Sequence, residues 1–357
     1  MAKATKEKDL DEVKKALNER YGKDVIVNAG DLRLARVKRW IPTGSLTLDM
    51  ATGGKGIPAA GKSTCILGKE SASKTTLCYH MIAESQKQGD ICAFLAVEEA
   101  DLDYAESCGV NLSMLHLIDR ESLLKSLGVK DRILVAAEEW LEMACKMLQS
   151  NTYGIVALDS VAALQPLSEI QGGLVGGRIA GIASVLSKAY RAINNSLANT
   201  KSAFVYTNQY RINPGGYGNP FIEPGGEALR YLQDLKIEIS KSLDKDNDGV
   251  HGIIVKGKIT KSKVCSPYKE FSYYIEFGKG LQRWAEIMSL GLEFEIIAKE
   301  GNTYSFDGTK LAVGIGALEN FLQDNPELVA ILEQKVLARM KEPEVIEEPS
   351  EEIETEV

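Results

Sequence analysis

One stretch of the chain combines a lysine, a threonine and a short loop in the spacing that phosphate binding requires. Gly68 follows the apolar run from Thr64 to Leu67, and Ser73-Lys74-Thr75 precede a segment with helical periodicity. The loop reads G-x-x-x-x-S-K-T, one residue short of the phosphate-loop pattern G-x-x-x-x-G-K-[ST]. In such loops the backbone N–H groups bind phosphate oxygens, the lysine reaches the β/γ-phosphates, and the threonine hydroxyl ligates Mg²⁺. The predicted nucleotide site consists of Gly68, Lys69, Glu70, Ser71, Ala72, Ser73, Lys74, Thr75 and Thr76.

A second stretch, residues 56–63, fits the written pattern without any departure. It reads G-I-P-A-A-G-K-S, but a glycine-rich turn precedes it and β-type residues follow it. No helix is therefore expected to begin at Ser63. Because the motif needs a strand–loop–helix setting, we interpret 56–63 as a turn that leads into a strand and place the phosphate loop at 68–75.

Acidic residues end two other predicted strands. Asp159 follows the buried run from Gly154 to Leu158. In a phosphate-loop ATPase such an aspartate holds Mg²⁺ through water or a Ser/Thr hydroxyl. Glu98 and Glu99 follow the run from Ile91 to Val97, and a carboxylate there can orient and deprotonate the attacking water. Spacing alone does not choose between the two glutamates.

A polar strand end followed by a long glycine-rich loop indicates coupling to a second ligand. Asn208-Gln209 end the run from Ser202 to Thr207, where an amide can contact the γ-phosphate and respond to its presence. Residues 210–226 then contain five glycines and three prolines. Aromatic rings with a cation on such a loop suit single-stranded nucleic acid. The loop carries Tyr210, Arg211, Tyr217 and Phe221.

Two further patterns have both a functional and a structural interpretation. Residues 171–178 form another loop with four glycines, which ends in Arg178. A basic stripe extends along 256–263, where Lys256, Lys258, Lys261 and Lys263 lie. A run of charges is most often the solvated face of a strand. Alternatively, these cations could reach a phosphate across a subunit boundary, as arginine fingers do.

Strands alternate with helices from about residue 41 to residue 288, which predicts an α/β fold with a mainly parallel central sheet. The predicted strands are 64–67, 91–97, 154–158, 202–207 and 235–239. The predicted helices are 75–88, 131–149 and 180–198. The runs 251–260 and 271–277 are expected to add antiparallel strands.

Smaller segments flank this core. Residues 8–21 have the spacing of an amphipathic helix and Val25-Ile26-Val27 that of a lone strand. One helix and one strand cannot form a core, so they must pack on the main domain or on a neighbouring molecule. The predicted divisions are an N-terminal arm and linker at 1–40, the ATPase core at 41–288, a small α/β domain at 289–341 and an acidic, disordered tail at 342–357.

Composition excludes several classes of protein. The chain lacks an apolar run of membrane-spanning length and starts with polar residues, so we expect a cytoplasmic protein without membrane contact. Six scattered cysteines without a C-x-x-C pair predict buried thiols rather than disulfides or zinc ligands. Asp244 to Gly249 resembles the start of a calcium loop, but Val255 stands where a glutamate is required, which favours a polar turn.

The formal net charge of −8 depends on the tail. Residues 342–357 hold eight glutamates and no basic residue. Removing those eight from the 50 acidic residues leaves 42, which equals the number of basic residues. The body can therefore carry basic patches, and the tail can compete with an anionic partner for them.

With these parts in this order, the chain resembles the bacterial RecA recombinase family almost from end to end. The matching stretches are Glu19 to Lys23, Thr43 to Asp49, Ile91 to Phe94, Leu158 to Leu164, Asn208-Gln209 with Arg211, and Gly225 to Leu229. The resemblance implies an ATP-dependent protein that forms helical filaments on single-stranded DNA and catalyses pairing and strand exchange with double-stranded DNA. It further implies DNA-stimulated ATP hydrolysis with Mg²⁺ as cofactor.

The resemblance also implies individual roles. It assigns catalysis to Lys74, Glu98, Gln209, Lys261 and Lys263, the last two reaching a neighbour's ATP. It assigns adenine stacking to Tyr104, the Mg²⁺ site to Thr75 and Asp159, and the γ-phosphate switch to Gln209. The loops 172–179 and 210–226 would bind DNA, through Gly172, Gly173, Gly176, Gly177, Arg178, Arg211, Tyr217, Gly225 and Gly226.

The chain departs from the family pattern at several positions. Ser73 replaces a glycine and Lys69 a proline, while Ala96 and Glu99 replace the usual Asp and His beside Glu98. A left-handed backbone at Ser73 would cost on the order of 1 kcal/mol. Such drift is typical of a divergent member, such as a phage-encoded one. Two alternatives stay open: a ring-forming helicase or motor with the same core, and a non-hydrolysing DNA-binding scaffold.

Overall fold

The computed structural model describes residues 2–22, 26, 37–126, 135–172, 181–212, 221–245 and 249–340. Its contacts divide the chain into two units, residues 1–38 and 39–357. The first unit holds helix α1 (Ala2–Tyr21), longer than the predicted 8–21. Leu10 and Val13 of α1 are more than half exposed. The predicted strand at 25–27 lies outside the described residues, except for Ile26.

The second unit begins with the elements that carry the phosphate loop and the first acidic strand ends. They are β1 (Trp40–Ile41), α2 (Leu46–Ala51), β2 (Ile57–Pro58), β3 (Lys62–Gly68), α3 (Lys74–Lys87), β4 (Ile91–Ala96), α4 (Leu102–Ser107), β5 (Leu115–Asp119), α5 (Arg120–Ser126), α6 (Ala137–Ser150) and β6 (Tyr153–Asp159). The predicted helix start at 131–134 lies outside the described residues.

The middle of the second unit carries both glycine-rich loops and the antiparallel strands. Its elements are α7 (Leu167–Gly172), α8 (Gly181–Leu197), β7 (Ala203–Gln209), β8 (Arg211–Ile212), β9 (Phe221–Ile222), α9 (Gly226–Leu232), β10 (Leu235–Lys245), β11 (Val250–Ser262), β12 (Glu270–Glu276) and β13 (Gly280–Leu281). The remaining elements are α10 (Arg283–Glu293), β14 (Ala298–Glu300), β15 (Thr303–Phe306), β16 (Thr309–Val313), α11 (Ile315–Asp324) and α12 (Pro326–Arg339).

Within the described residues, nine strands form the central sheet in the order β13-β12-β11-β10-β3-β7-β6-β4-β5. The strands from β10 to β5 run parallel, whereas β11, β12 and β13 extend the sheet by antiparallel pairing. The α/β fold and the antiparallel additions are therefore confirmed. The sequence did not predict β5, whose residues are only partly buried.

The alternation of side chains along β3 explains the two core layers. Ile66 faces one apolar cluster, which includes Leu77 of α3. Cys65 and Leu67 face the other cluster, which includes Trp140 of α6 and Leu186 of α8. Successive residues of a strand point to opposite faces, so a continuous apolar strand requires helices on both sides. The apolar run that ends at Gly68 is thus the central buried strand.

A third apolar cluster belongs to the C-terminal part of the chain, where β14, β15 and β16 form a separate small sheet. Ile287 and Met288 of α10 are part of this cluster, so α10 begins before the predicted boundary at 288/289. Glu286 of α10 is buried, and its carboxylate accepts from the Ser45 hydroxyl at 2.6 Å and from the Thr47 N–H at 3.1 Å. These bonds attach α10 to the start of α2.

Candidate nucleotide and DNA site

The loop at 68–75 lies between β3 and α3. Gly68 ends the strand and Lys74 begins the helix. A Cβ on Gly68 would lie 2.8 Å from the Ile239 carbonyl oxygen, so the residue must be small. The rival stretch has no helix after it, because Lys62 and Ser63 are the first residues of β3. The strand–loop–helix context used to choose 68–75 is therefore confirmed.

Two serines of the loop have left-handed backbones. The φ angles are +54° at Ser71 and +67° at Ser73. Such conformations turn successive N–H groups toward one concave surface, which suits an anion. Ser73 therefore has the positive φ on which the expected strain depends. Its hydroxyl donates to the Ala72 carbonyl at 2.5 Å and does not cap α3.

Lys74 is almost completely buried beneath the loop. Its Nζ donates to the Lys69 carbonyl oxygen at 2.8 Å. Burial lowers the pKa of the Lys74 ammonium, and the nearby carboxylates of Asp159 and Glu98 oppose that effect. A buried cation facing two carboxylates at the helix N-terminus fits a site for a metal-bound, highly charged anion.

Asp159 is held between the phosphate loop and a neighbouring strand. Thr75 donates its hydroxyl proton to one carboxylate oxygen of Asp159, and Thr207 of β7 donates to the other. The predicted pair, Thr75 and Asp159, is thus in direct contact. Among the described residues, His, Cys, Asp and Glu side chains form no group of three or more suited to a metal ion. One hydroxyl and one carboxylate instead fit Mg²⁺, which keeps several waters and takes its other ligands from phosphate.

The structure brings Glu98 rather than Glu99 to this site. Ser160 donates a hydrogen bond to the Glu98 carboxylate, and the Gln209 Nε2 lies 3.4 Å from the same oxygen. The Glu98 N–H also donates to the Asp159 carbonyl at 3.0 Å. The carboxyl ends of β4, β6 and β7 are adjacent in the parallel sheet, which is why residues far apart in sequence meet here.

Tyr104 of α4 lies beside the first turn of α3. Its hydroxyl is 3.2 Å from the Thr76 hydroxyl, and its ring packs edge-on to Tyr79. Burial raises the pKa of Tyr104 to about 12. The phenol therefore stays neutral and presents an aromatic surface near the predicted nucleotide.

Of the predicted DNA loops, the structure describes only the flanking residues, which follow β6 and β7 in the chain. Gly172 ends α7, while Gly173, Gly176, Gly177, Arg178 and Tyr217 lie outside the described residues. Arg211 donates to the Ala162 carbonyl at 2.8 Å. Gly225, with φ of +105°, precedes α9, and its Cβ position would be 2.7 Å from Leu229. Gly226 begins α9 with φ of +69°.

Lys261 and Lys263 lie away from the phosphate loop of their own chain, toward the amino-terminal half of β3. In register, Lys261 is beside Lys236 and Lys236 is beside Cys65, in the middle of β3. Lys263 pairs with Asp234 at 3.2 Å. At about 3.3 Å per residue, Lys261 is roughly 10 Å from Gly68 along the strand direction, and Lys263, level with Asp234 and Ser63, is roughly 16 Å from it.

Burial and the neighbouring Lys263 lower the pKa of Lys261, whose Nζ donates to the Arg230 carbonyl. The Lys261 ammonium therefore has a main-chain acceptor, and Asp234 is its acidic neighbour in the same chain.

Thr207 and Ser160 are the contacts that the sequence did not single out. Thr207 precedes the Asn208-Gln209 pair and is completely buried, as Ser160 is. In the sequence, each of these two hydroxyl residues stands next to a residue or pair that was predicted to be functional. Many buried hydroxyls only satisfy local hydrogen bonds, so the signal is weak without the sheet order.

A helix that begins at the loop lysine, with an aspartate on the following threonine, is the geometry of the phosphate-loop ATPases. A family model described as the RecA N-terminal domain matches residues 8–282, and one described as the RecA C-terminal domain matches residues 285–341. The chain therefore belongs to the RecA family, as its motifs predicted. Members of this family are DNA-dependent ATPases of homologous recombination, and membership assigns that function to this chain.

Curated relatives agree along nearly the whole chain. Protein RecA of Bacteroides thetaiotaomicron is 36% identical over 336 residues, which cover 93% of this chain and 97% of the relative. Protein RecA of Macrococcus caseolyticus is 34% identical over 348 residues, covering 97% and 94%. Protein RecA of Aquifex aeolicus is 32% identical over 338 residues, covering 92% and 93%.

Two predictions from composition concern the cysteines and membrane-spanning helices. All six cysteines are free thiols, and five of them are buried, which confirms that they form no disulfides. Among the helices that the structure describes, none is long and apolar enough to cross a membrane. The predicted turn at 244–249 falls partly on residues 246–248, and the acidic tail on 342–357, all outside the described residues.

Proposed function

We propose that the loop at 68–75 binds ATP with Mg²⁺ and that the chain couples its hydrolysis to binding and exchange of DNA strands. The observation that carries this proposal is the pair of linked hydrogen bonds at the sheet edge. One link connects Thr75 through Asp159 to Thr207, and the other connects Ser160 and Gln209 to Glu98. Together they connect the phosphate loop to the base of a glycine-rich loop.

In the proposed mechanism, residues of this chain orient the reaction and move one proton. Lys74 and the loop N–H groups hold the β/γ-phosphates. Thr75 and Asp159 hold Mg²⁺, which when bound neutralises charge on the phosphate oxygens. Glu98 accepts the proton of the attacking water, held in place by the Ser160 hydroxyl. Tyr104 provides the aromatic surface on which the base stacks.

Gln209 is proposed to report the state of the γ-phosphate to the DNA loop. Its amide lies near Glu98, and the next residues, Tyr210 and Arg211, begin the loop 210–226. If the Gln209 amide turns toward a phosphate oxygen, it changes the position of Tyr210, the first residue of the loop. DNA would contact this loop and the loop 172–179, with affinity that falls as salt concentration rises.

The proposed assembly is a helical filament in which each nucleotide lies between two subunits. Lys261 and Lys263 lie roughly 10 to 16 Å from their own phosphate loop along the strand direction, which supports a role at a neighbour's loop. The exposed apolar residues Leu10 and Val13 support packing of α1 on another subunit. A head-to-tail contact whose rotation does not close produces an open helix.

The deciding experiment measures ATP hydrolysis with and without single-stranded DNA for the wild type, Lys74→Ala and Lys62→Ala. We expect DNA to stimulate hydrolysis by the wild type and Lys74→Ala to lower it at least about 100-fold, because the buried cation at the phosphates is lost. Lys62→Ala tests the rival loop, since Lys62 begins β3 and lies 3.7 Å from Asp234.

Three results would contradict the proposal. Loss of hydrolysis in Lys62→Ala, with Lys74→Ala still active, would place the phosphate site at 56–63. Wild-type protein that binds DNA but hydrolyses no ATP would instead identify a scaffold. Closed rings rather than filaments in negative-stain images would favour a ring-forming motor.

A further inference from the structure

Lys69, the second residue of the phosphate loop, contacts the glycine-rich loop 210–226. Its Nζ lies over the Phe221 ring, 4.6 Å from the centroid. A lysine ammonium within about 6 Å of an aromatic centroid is attracted by the charge distribution of the ring. Phe221 follows the segment 213–220, which the structure does not describe. The contact therefore joins the phosphate loop to the returning strand of the DNA loop.

Phe221 belongs to an ordered base of that loop, formed by Tyr210, β8 and β9, which we call the loop stem. Ile212 of β8 pairs with Phe221 of β9 in antiparallel register. The Tyr210 ring packs on the Phe221 ring with 6.0 Å between centroids. Displacement of Phe221 would therefore displace the first residues of the loop as well.

The loop stem is attached to the central sheet next to the phosphate loop. Burial, together with a hydrogen bond to the Glu238 carboxylate, raises the pKa of the Tyr210 phenol. Glu238 of β10 is the register partner of Leu67, the residue before Gly68. Tyr210 and Lys69 thus approach Phe221 from neighbouring positions on one sheet edge.

The main chain of Lys69 is connected to the catalytic lysine. Its carbonyl oxygen accepts from the Lys74 Nζ at 2.8 Å. Charge-assisted hydrogen bonds to phosphate are stronger than those to a neutral carbonyl. A triphosphate bound to the phosphate loop therefore competes with the Lys69 carbonyl oxygen for the protons of the Lys74 ammonium. DNA bound to the loop 210–226 acts on the Phe221 ring beneath the Lys69 side chain.

We propose that the Lys69–Phe221 contact is a second coupling between the nucleotide site and the DNA loop, separate from Gln209. This inference rests on the proposed functions of 68–75 and 210–226. Lys69 and Phe221 act as positioning residues, because they transmit the state of the phosphate loop without touching the reacting atoms. The contact needs a cation at position 69, which the proline of the family pattern cannot provide.

The test measures the affinity for a fluorescent single-stranded oligonucleotide by anisotropy, without nucleotide and with a non-hydrolysable ATP analogue plus Mg²⁺. The ratio of the two dissociation constants is the coupling factor. We expect Lys69→Met and Phe221→Leu each to lower this factor about threefold to tenfold. The double variant should lose no more than either single variant, since both changes remove the same contact.

Two controls isolate the interaction. Lys335 lies over Phe306 at the same centroid distance of 4.6 Å, away from the site in the C-terminal part of the chain. Lys335→Met should leave the coupling factor within about twofold of the wild-type value. Lys69→Arg keeps a cation above the ring and should keep most of the coupling.

Binding of a fluorescent ATP analogue, measured with and without DNA, should change by the same factor as DNA binding in every variant, because coupling between two ligands is reciprocal. A wild-type factor near one would contradict the proposed function itself. A large wild-type factor that survives in both single variants, or additive losses in the double variant, would overturn only the coupling contact. Equal loss in Lys69→Arg and Lys69→Met would also overturn it.

Discussion

Ser73 holds a conformation that glycine adopts more easily than serine. Its φ is +67°, and its hydroxyl makes no capping bond to α3. A Cβ in the left-handed region costs on the order of 1 kcal/mol. The serine therefore stores local strain at the residue before Lys74 without a compensating cap.

Replacing Ser73 with glycine should stabilise the protein. We expect Ser73→Gly to raise the free energy of unfolding by about 1 kcal/mol, because the strained Cβ is removed. Ala72→Gly is the matched control, since Ala72 is buried and its φ is not positive. It should lower the free energy of unfolding by about 1 kcal/mol. Urea unfolding followed by circular dichroism measures both, and equal signs would contradict strain at Ser73.

Asp49 of α2 is the carboxylate most relevant to the pH dependence of stability. Burial raises its pKa to about 7, against hydrogen bonds from the Thr43 hydroxyl and N–H. Between the ordinary value near 4 and this raised value, the folded protein retains a proton that the unfolded chain releases. The stabilising contribution of protonated Asp49 is therefore present at acid pH and is lost as pH rises through about 7.

Asp49→Asn removes this titration but keeps an oxygen that can accept from Thr43. Relative to the wild type, the variant should gain on the order of 2 kcal/mol of unfolding free energy between about pH 5 and about pH 8. Denaturant unfolding across that range measures the difference. Asp103→Asn is the control, because it removes one carboxylate from the exposed surface of α4. A pH-independent difference for Asp49→Asn would contradict the assignment.

At the scale of elements, the junction of β3 with β10 sets the position of the phosphate loop. Gly68 is the register partner of Ile239, and a Cβ at Gly68 would also be 3.0 Å from the Ile239 side chain. A larger residue must push the start of the loop away from the sheet. The close approach of two strands, rather than a turn, thus explains this glycine.

Gly68→Ala should lower the free energy of unfolding by about 2 kcal/mol, because the added methyl overlaps the β10 backbone. Gly316→Ala is the contrasting control. Gly316 lies in α11 with open space around its Cβ position and an ordinary φ. That change should raise the free energy of unfolding by about 0.5 kcal/mol through helix propensity. Thermal or urea unfolding distinguishes the two signs, and a neutral Gly68→Ala would show that β10 can shift.

At the scale of the whole molecule, Lys261 and Lys263 lie roughly 10 to 16 Å from the phosphate loop along the strand direction. In this structure their ammonium groups donate to the Arg230 and Tyr231 carbonyls rather than reaching Lys74 of the same subunit. If they act at one nucleotide, the complete site requires two copies of the chain in a head-to-tail arrangement.

Mixing two inactive variants tests this arrangement. Lys74→Ala lacks the phosphate-loop cation, and the double variant Lys261→Ala with Lys263→Ala lacks the two lysines proposed to act at a neighbour's nucleotide. In a filament mixed one to one, about one interface in four combines an intact phosphate loop with intact lysines. We expect DNA-stimulated ATP hydrolysis to return to roughly that fraction of wild type. A mixture no more active than its components would contradict a shared site.

The sequence by itself determined the fold class, and it predicted the phosphate loop and the strand-end acids. Apolar runs bounded by glycine and acidic residues reveal buried strands, because local pattern and burial coincide there. The choice of 68–75 over 56–63 needed only the strand–loop–helix order. Family motifs supplied the assignment to recombination.

Spacing left Glu98 and Glu99 open and the resemblance assigned Glu98, but only the tertiary structure showed that Glu98 meets Gln209 and that Thr207 and Ser160 bind the two carboxylates. It also revealed the contact between Lys69 and Phe221. These residues lie on strands that are adjacent in the sheet but distant in the chain. Strand order depends on the packing of the whole core, so no local pattern encodes which side chains converge at its edge.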